Sequence, residues 1–83
     1  MPAGTVEVEV HLFANLAEYG PPAHRGTARV ELPEGASVRD LVDRLRIPDE
    51  VPRLLLVNGR DVEPTARLRP GDVVDVLPPL VGG

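Results

Sequence analysis

At 83 residues, with no cysteine and a net charge of −4, the chain is one small domain without a disulfide, thiolate zinc site, iron–sulfur cluster or thiol nucleophile. The acidic balance and the scarcity of aromatics, Phe13 and Tyr19 alone, exclude the basic stripe and stacking platforms that nucleic acid requires. No apolar run approaches the ~18 residues of a membrane span, and Met1-Pro2-Ala3-Gly4-Thr5 lacks the basic and apolar regions of a signal peptide, so a soluble, cytoplasmic chain with no membrane partner is expected.

From Thr5 to Phe13 the chain alternates strictly, with Val6, Val8, Val10 and Leu12 on one face and Glu7, Glu9, His11 and Phe13 on the other. Period two with β-branched residues predicts a half-buried strand. Ala14 to Tyr19 reads as one short helical turn, broken at Gly20-Pro21-Pro22. Thr27 to Leu32 is a second strand, burying Ala28, Val30 and Leu32, and Pro33-Glu34-Gly35 is a turn. Ser37 with Asp40 three residues on has the form of a capping box. Val38, Leu41, Val42 and Leu45 then make the core stripe of a helix of about two and a half turns, ended before Pro48. Leu54 to Val57 is wholly apolar and fits an interior strand. Asn58-Gly59 predicts a type I′ hairpin turn, because both residues accept positive φ, and its return arm, Arg60-Asp61-Val62, is brief. Arg69-Pro70-Gly71-Asp72 has the pattern of a type II turn. Val73 to Leu77 closes the domain, with Val74 and Val76 on one face and Val73 and Leu77 on the other.

This β-β-α-β-β-β order predicts a two-layer α+β domain, a ubiquitin-like β-grasp. Its mixed sheet of four to five strands carries one main helix on one face, and the first and last strands lie parallel at the centre. The domain spans 1–77, and 78–83 form an extended C-terminal tail.

No catalytic constellation of the chain's own emerges. Ser37 serves as a helix cap, and the carboxylate pairs Asp49-Glu50 and Asp72 with Asp75 fall in turns or on edges, where solvated charge is the ordinary role. His11 and His24 lack metal-ligand spacing, so no metal is expected. All nine basic residues are arginine; with no ε-amino group, the chain cannot be acylated on lysine or form lysine-linked chains of itself.

The tail carries the chemistry that remains. Pro78-Pro79-Leu80-Val81 precede a final Gly82-Gly83, a tip without side chains that can thread a slot too narrow for any Cβ. The Gly83 carboxylate becomes an acyl donor once another enzyme joins it to AMP. Six residues from Pro78 reach about 20 Å at roughly 3.3–3.6 Å each. Pro78 and Pro79 hold the root of that arm extended, and Leu80 and Val81 offer apolar anchors.

Val57-Asn58-Gly59-Arg60, Leu68-x-Pro70-Gly71-Asp72-x-Val74 and Leu77 through Gly83 together resemble the MoaD/ThiS family of ubiquitin-like sulfur carriers. Phe13-Ala14 and Gly35-Ala36-Ser37-Val38-x-Asp40-Leu41 extend the resemblance over nearly the whole chain, and Pro78-Pro79 favours the molybdopterin branch, the small subunit of molybdopterin synthase, over the thiazole branch. The resemblance implies a carrier cycle in which an adenylating enzyme of the ubiquitin-activating type uses ATP on Gly83 and a sulfur donor converts it to a thiocarboxylate. A MoaE-like large synthase subunit then takes the sulfur into molybdopterin. No cofactor is bound by the carrier itself. Gly83 would bear the adenylate and the sulfur, Gly82 would thread the slot, and Phe13 with Pro78, Pro79, Leu80 and Val81 would meet partners. Where the family's partners use a surface lysine, the contact here is made by an arginine or lost; Glu7, Glu9, Asp61, Glu63 and Asp75 form an alternative acidic face for partners to read. The alternatives are a carrier for another sulfur recipient (thiamine thiazole, cysteine or tungsten cofactor), a ubiquitin-like modifier conjugated through Gly83, and a plain β-grasp interaction module.

Overall fold

The computed structural model describes residues 4–20 and 26–79. Its elements are β1 (Thr5–Leu12), a 3-10 turn (Ala14–Tyr19), β2 (Thr27–Pro33), α1 (Val38–Leu45), β3 (Leu54–Val57), β4 (Arg60–Asp61) and β5 (Val73–Leu77). They form one five-stranded sheet in the order β2-β1-β5-β3-β4. β1 and β5 run parallel side by side, with Leu12 against Val76, and the other neighbours are antiparallel. This is the β-grasp that the element order predicts. A parallel pair needs a long crossover between its strands, and here that crossover contains the helix.

One sheet face is closed by α1. Val6, Val8, Val10 and Leu12 of β1 meet Val74 and Val76 of β5, and Val38, Leu41 and Val42 of the helix lie above them. The period-two and helical stripes therefore converge as expected, although Leu45, at the far end of α1, is only half-buried. Leu16, Ala36, Ile47 and Leu68 complete the core from irregular segments, where no periodicity marks a residue as internal.

Local chemistry explains the boundaries. The Ser37 hydroxyl accepts from the Asp40 N–H, and the Asp40 carboxylate accepts from the Ser37 N–H, a complete capping box. The next two amide donors are satisfied by the loop after β4: Val38 N–H donates to the Ala66 carbonyl and Arg39 N–H to that of Pro64, each at 2.9 Å. The helix is eight residues long, shorter than expected, because Arg46 takes a left-handed C-cap conformation at φ 61°. Asn58 and Gly59 have φ of 52° and 82°, as a type I′ turn requires. At the other predicted turn Gly71 has φ 83° and Asp72 N–H reaches the Arg69 carbonyl at 3.1 Å.

β3 departs from expectation. It lies between β5 and β4, yet Leu54 is 43% exposed and the strand's other residues are half-buried. Leu55 and Val57 pack toward the core, whereas Leu54 and Leu56 face the open side of the sheet, which no described element covers. An apolar run shows that a strand has two apolar faces, not that both are covered.

Candidate functional site

The predicted tail follows directly on the middle strand of the sheet. β5 ends at Leu77, and Pro78 and Pro79 are half-buried immediately after it. Leu80, Val81, Gly82 and Gly83 lie outside the described residues. Around the root of the tail, the sheet register gathers three apolar side chains on the open face. Leu54 of β3 pairs with Leu77. On the other flank, Phe13 N–H donates to the Val76 carbonyl at 3.0 Å, extending the β1–β5 ladder by one step and setting Phe13 beside Leu77.

Phe13 and Leu54 are the exposed large hydrophobics among the described residues, at 44% and 43%. Phe13 is held there by backbone geometry. It ends the strand in an extended conformation, φ −104° and ψ 150°, as the N-cap of the 3-10 turn. Leu16 N–H then returns to the Phe13 carbonyl at 3.0 Å, while Leu16 is fully buried. The structure thus brings predicted Phe13 to the tail root and adds Leu54, which the sequence reading placed inside. The signal for Leu54 was the brevity of Arg60-Asp61-Val62, too short an arm to shield β3.

A polar band lies behind this patch. Asp61, Leu56, Asp75 and His11 occupy successive positions across β4, β3, β5 and β1. The Glu9 carboxylate accepts a hydrogen bond from the His11 ring. That bond holds the Glu9 carboxyl below its ordinary value of 4.5, outweighing the opposing desolvation, with the charges of His11 and Arg29 adding to it. Glu7, Glu9, Asp61 and Asp75 of the predicted acidic face therefore share the open side of the sheet, whereas Glu63 stands apart in the loop after β4.

Asn58 and Asp72, which belong to the two turn motifs, prove to be architectural. Asn58 Nδ2 donates to Asp72 Oδ1 at 3.0 Å, and Asn58 Oδ1 accepts from Val73 N–H at 3.0 Å. Asp72 Oδ2 also accepts from Arg69 N–H at 2.8 Å. They clamp the start of β5, about 15 Å along the strand from the tail root. Among the described residues, no group of three or more His, Cys, Asp or Glu is placed to hold a metal ion, and no helix is long and apolar enough to cross a membrane.

A parallel central pair in a five-stranded mixed sheet, with one helix across one face, defines a ubiquitin-like β-grasp domain. The ThiS family model matches residues 10–83. The chain belongs to this family of ThiS/MoaD-like, ubiquitin-like sulfur carriers. Among solved structures it is similar to a Pyrococcus furiosus protein assigned as molybdopterin converting factor subunit 1, at 35% identity and a TM-score of 0.78, covering 90% of this chain and 99% of that one. Small archaeal modifier protein 1 of Haloferax volcanii is similar at 28% identity and a TM-score of 0.74, over 90% and 99% of the two chains. A Caldiarchaeum subterraneum ubiquitin, at 16% identity, a TM-score of 0.62 and coverage of 96% and 100%, shares the fold. A search of curated protein sequences returns no match.

Proposed function

We propose that this chain is the sulfur-carrying small subunit of a molybdopterin synthase, with Gly83 as the sulfur-bearing residue. The observation that supports this most is the similarity, 35% identical over 90% of this chain, to a protein assigned as molybdopterin converting factor subunit 1. The family match running through residue 83 supports Gly83 as the reacting residue.

In the proposed cycle the Gly83 carboxylate oxygen attacks the α-phosphorus of ATP on an adenylating enzyme and expels pyrophosphate. A sulfur donor of the hydrosulfide class then displaces AMP from the acyl carbon, leaving a thiocarboxylate. The small subunit contributes presentation: Phe13, Leu54 and Leu77 seat the domain on its partners. Pro78 and Pro79, preset in φ, lower the ordering cost as Leu80, Val81 and Gly82 enter the partner's channel. ATP is consumed on the activating enzyme, and the dithiolene chemistry belongs to a MoaE-like large subunit.

Intact-mass measurement after incubation with ATP, a cognate activating enzyme and sulfide tests the cycle. A sulfur-for-oxygen gain is expected, and molybdopterin should form once the large subunit and its precursor are added. Deleting Gly83 should abolish both while leaving the circular dichroism and thermal melting unchanged; retained sulfur transfer by that variant would exclude Gly83 as the carrier residue.

A second reading draws on the similarity to a small archaeal modifier protein. In that reading the activated Gly83 acylates lysines of other proteins. High-mass conjugates in lysate that disappear with the Gly83 deletion would support it.

A further inference from the structure

We propose that the outer edge of β2 pairs with β2 of a second copy of this chain, antiparallel and centred on Val30. The observations are independent of the tail chemistry. β2 is the end strand of the sheet. Its pairing with β1 uses Ala28, Val30 and Leu32, as the flanking bonds show: Leu12 N–H to the Gly26 carbonyl at 2.8 Å and Glu34 N–H to the Gly4 carbonyl at 2.9 Å. The peptide groups of Thr27, Arg29 and Glu31, and the Pro33 carbonyl, therefore point outward, away from β1. Such an edge is a template for another strand unless it is guarded.

The charge pattern selects the partner and the register. With a two-fold axis at Val30, Arg29 lies directly against Glu31 of the second copy, and the same pair recurs across the axis. Centring the pairing on Arg29 or on Glu31 instead sets like charges face to face, which is unfavourable. Glu31 has reason to take a new cation. Across β1 it stands opposite Glu7, another carboxylate, and Arg29 lies within 3.7 Å of that Glu7 instead. Among the described residues, Glu31 makes no ion pair of its own. In the paired form Arg29 N–H donates to the Glu31 carbonyl of the second copy and Glu31 N–H to the Arg29 carbonyl. Thr27 N–H reaches the Pro33 carbonyl, while Pro33 returns no bond.

Among the described residues, one side chain guards the edge. The Arg44 guanidinium, from α1, donates to the outward Glu31 carbonyl at 3.3 Å. That is longer than a well-formed N–H···O bond, so an incoming peptide N–H can displace it. Pairing along one short strand covers far less than a standard interface, and the association is accordingly weak and concentration-dependent. It leaves the tail root free, because β5 lies two strands in from this edge.

Sedimentation velocity over a wide concentration range at low salt, with amide chemical shifts followed by NMR, tests the proposal. The wild type should self-associate reversibly, with shifts concentrated at Thr27, Arg29 and Glu31. Arg44→Ala should associate more tightly, because the Glu31 carbonyl is released. Glu31→Arg, which folds readily opposite Glu7, should associate about tenfold more weakly, as should Arg29→Glu, each setting like charges against each other twice. Mixing those two variants should restore association as a heterodimer. Concentration-independent monomers for both the wild type and Arg44→Ala would overturn the proposal. So would self-association that is unchanged in Glu31→Arg, since the interface would then lie elsewhere.

Discussion

At the scale of single residues, the Glu9–His11 contact is a polar pair with a defined acid dependence. Glu9 is half-buried and its carboxyl ionises below the ordinary 4.5, chiefly because the His11 ring hydrogen-bonds to it. A depressed carboxyl contributes stability above its unfolded value and loses that contribution as pH falls through the folded one. In the His11→Ala variant the Glu9 titration should move up toward 4.5, as followed by carboxyl NMR shifts, and the acid-dependent loss of stability that Glu9 contributes should shrink, because its folded and unfolded values then nearly coincide. An unmoved Glu9 titration would show that Arg29 holds the carboxylate instead. The Glu9–His11 hydrogen bond was not legible in the sequence, because i, i+2 neighbours on a strand meet only when their rotamers turn along it.

At the scale of elements, the helix start is the feature most fully written in the sequence. Ser37, Asp40 and the stripe from Val38 onward specify a cap and a buried face, and both are present. Ser37→Ala should cost about 1 kcal/mol in urea unfolding, the usual worth of an N-cap. The Asp40 partner and the carbonyls of Pro64 and Ala66 should keep the helix itself in place. The end of the helix was less legible. Pro48 bars continuation, but Arg46 has already turned left-handed, a conformation for which glycine is the ordinary signal. β3 shows a second limit. Four apolar residues predicted a strand correctly, yet their burial depends on what lies across the sheet, and only a two-residue β4 flanks them on the outer side.

At the scale of the whole molecule, function divides between the two faces of one sheet. The helix-covered face holds the domain together, while the open face carries the polar band and, at the tail root, Phe13, Leu54 and Leu77. Phe13→Asp and Leu54→Asp should leave unfolding midpoints nearly unchanged, because exposed sites contribute little to stability. Both should weaken binding to the adenylating enzyme or the large subunit by about tenfold or more in calorimetry, as expected when an apolar anchor is lost. Full affinity in both variants would remove the patch from the partner interface. The sequence by itself determined the strand faces, the cap, both turns and the diglycine ending, because each depends on the φ preferences and polarity of neighbouring residues. The clamp between Asn58 and Asp72, the exposure of Leu54 on the open face and the placing of Phe13 and Leu54 on either flank of Leu77 were decided only by the tertiary structure. These join residues far apart in the chain, 14 positions for Asn58 and Asp72 and 64 for Phe13 and Leu77, which no local preference brings together.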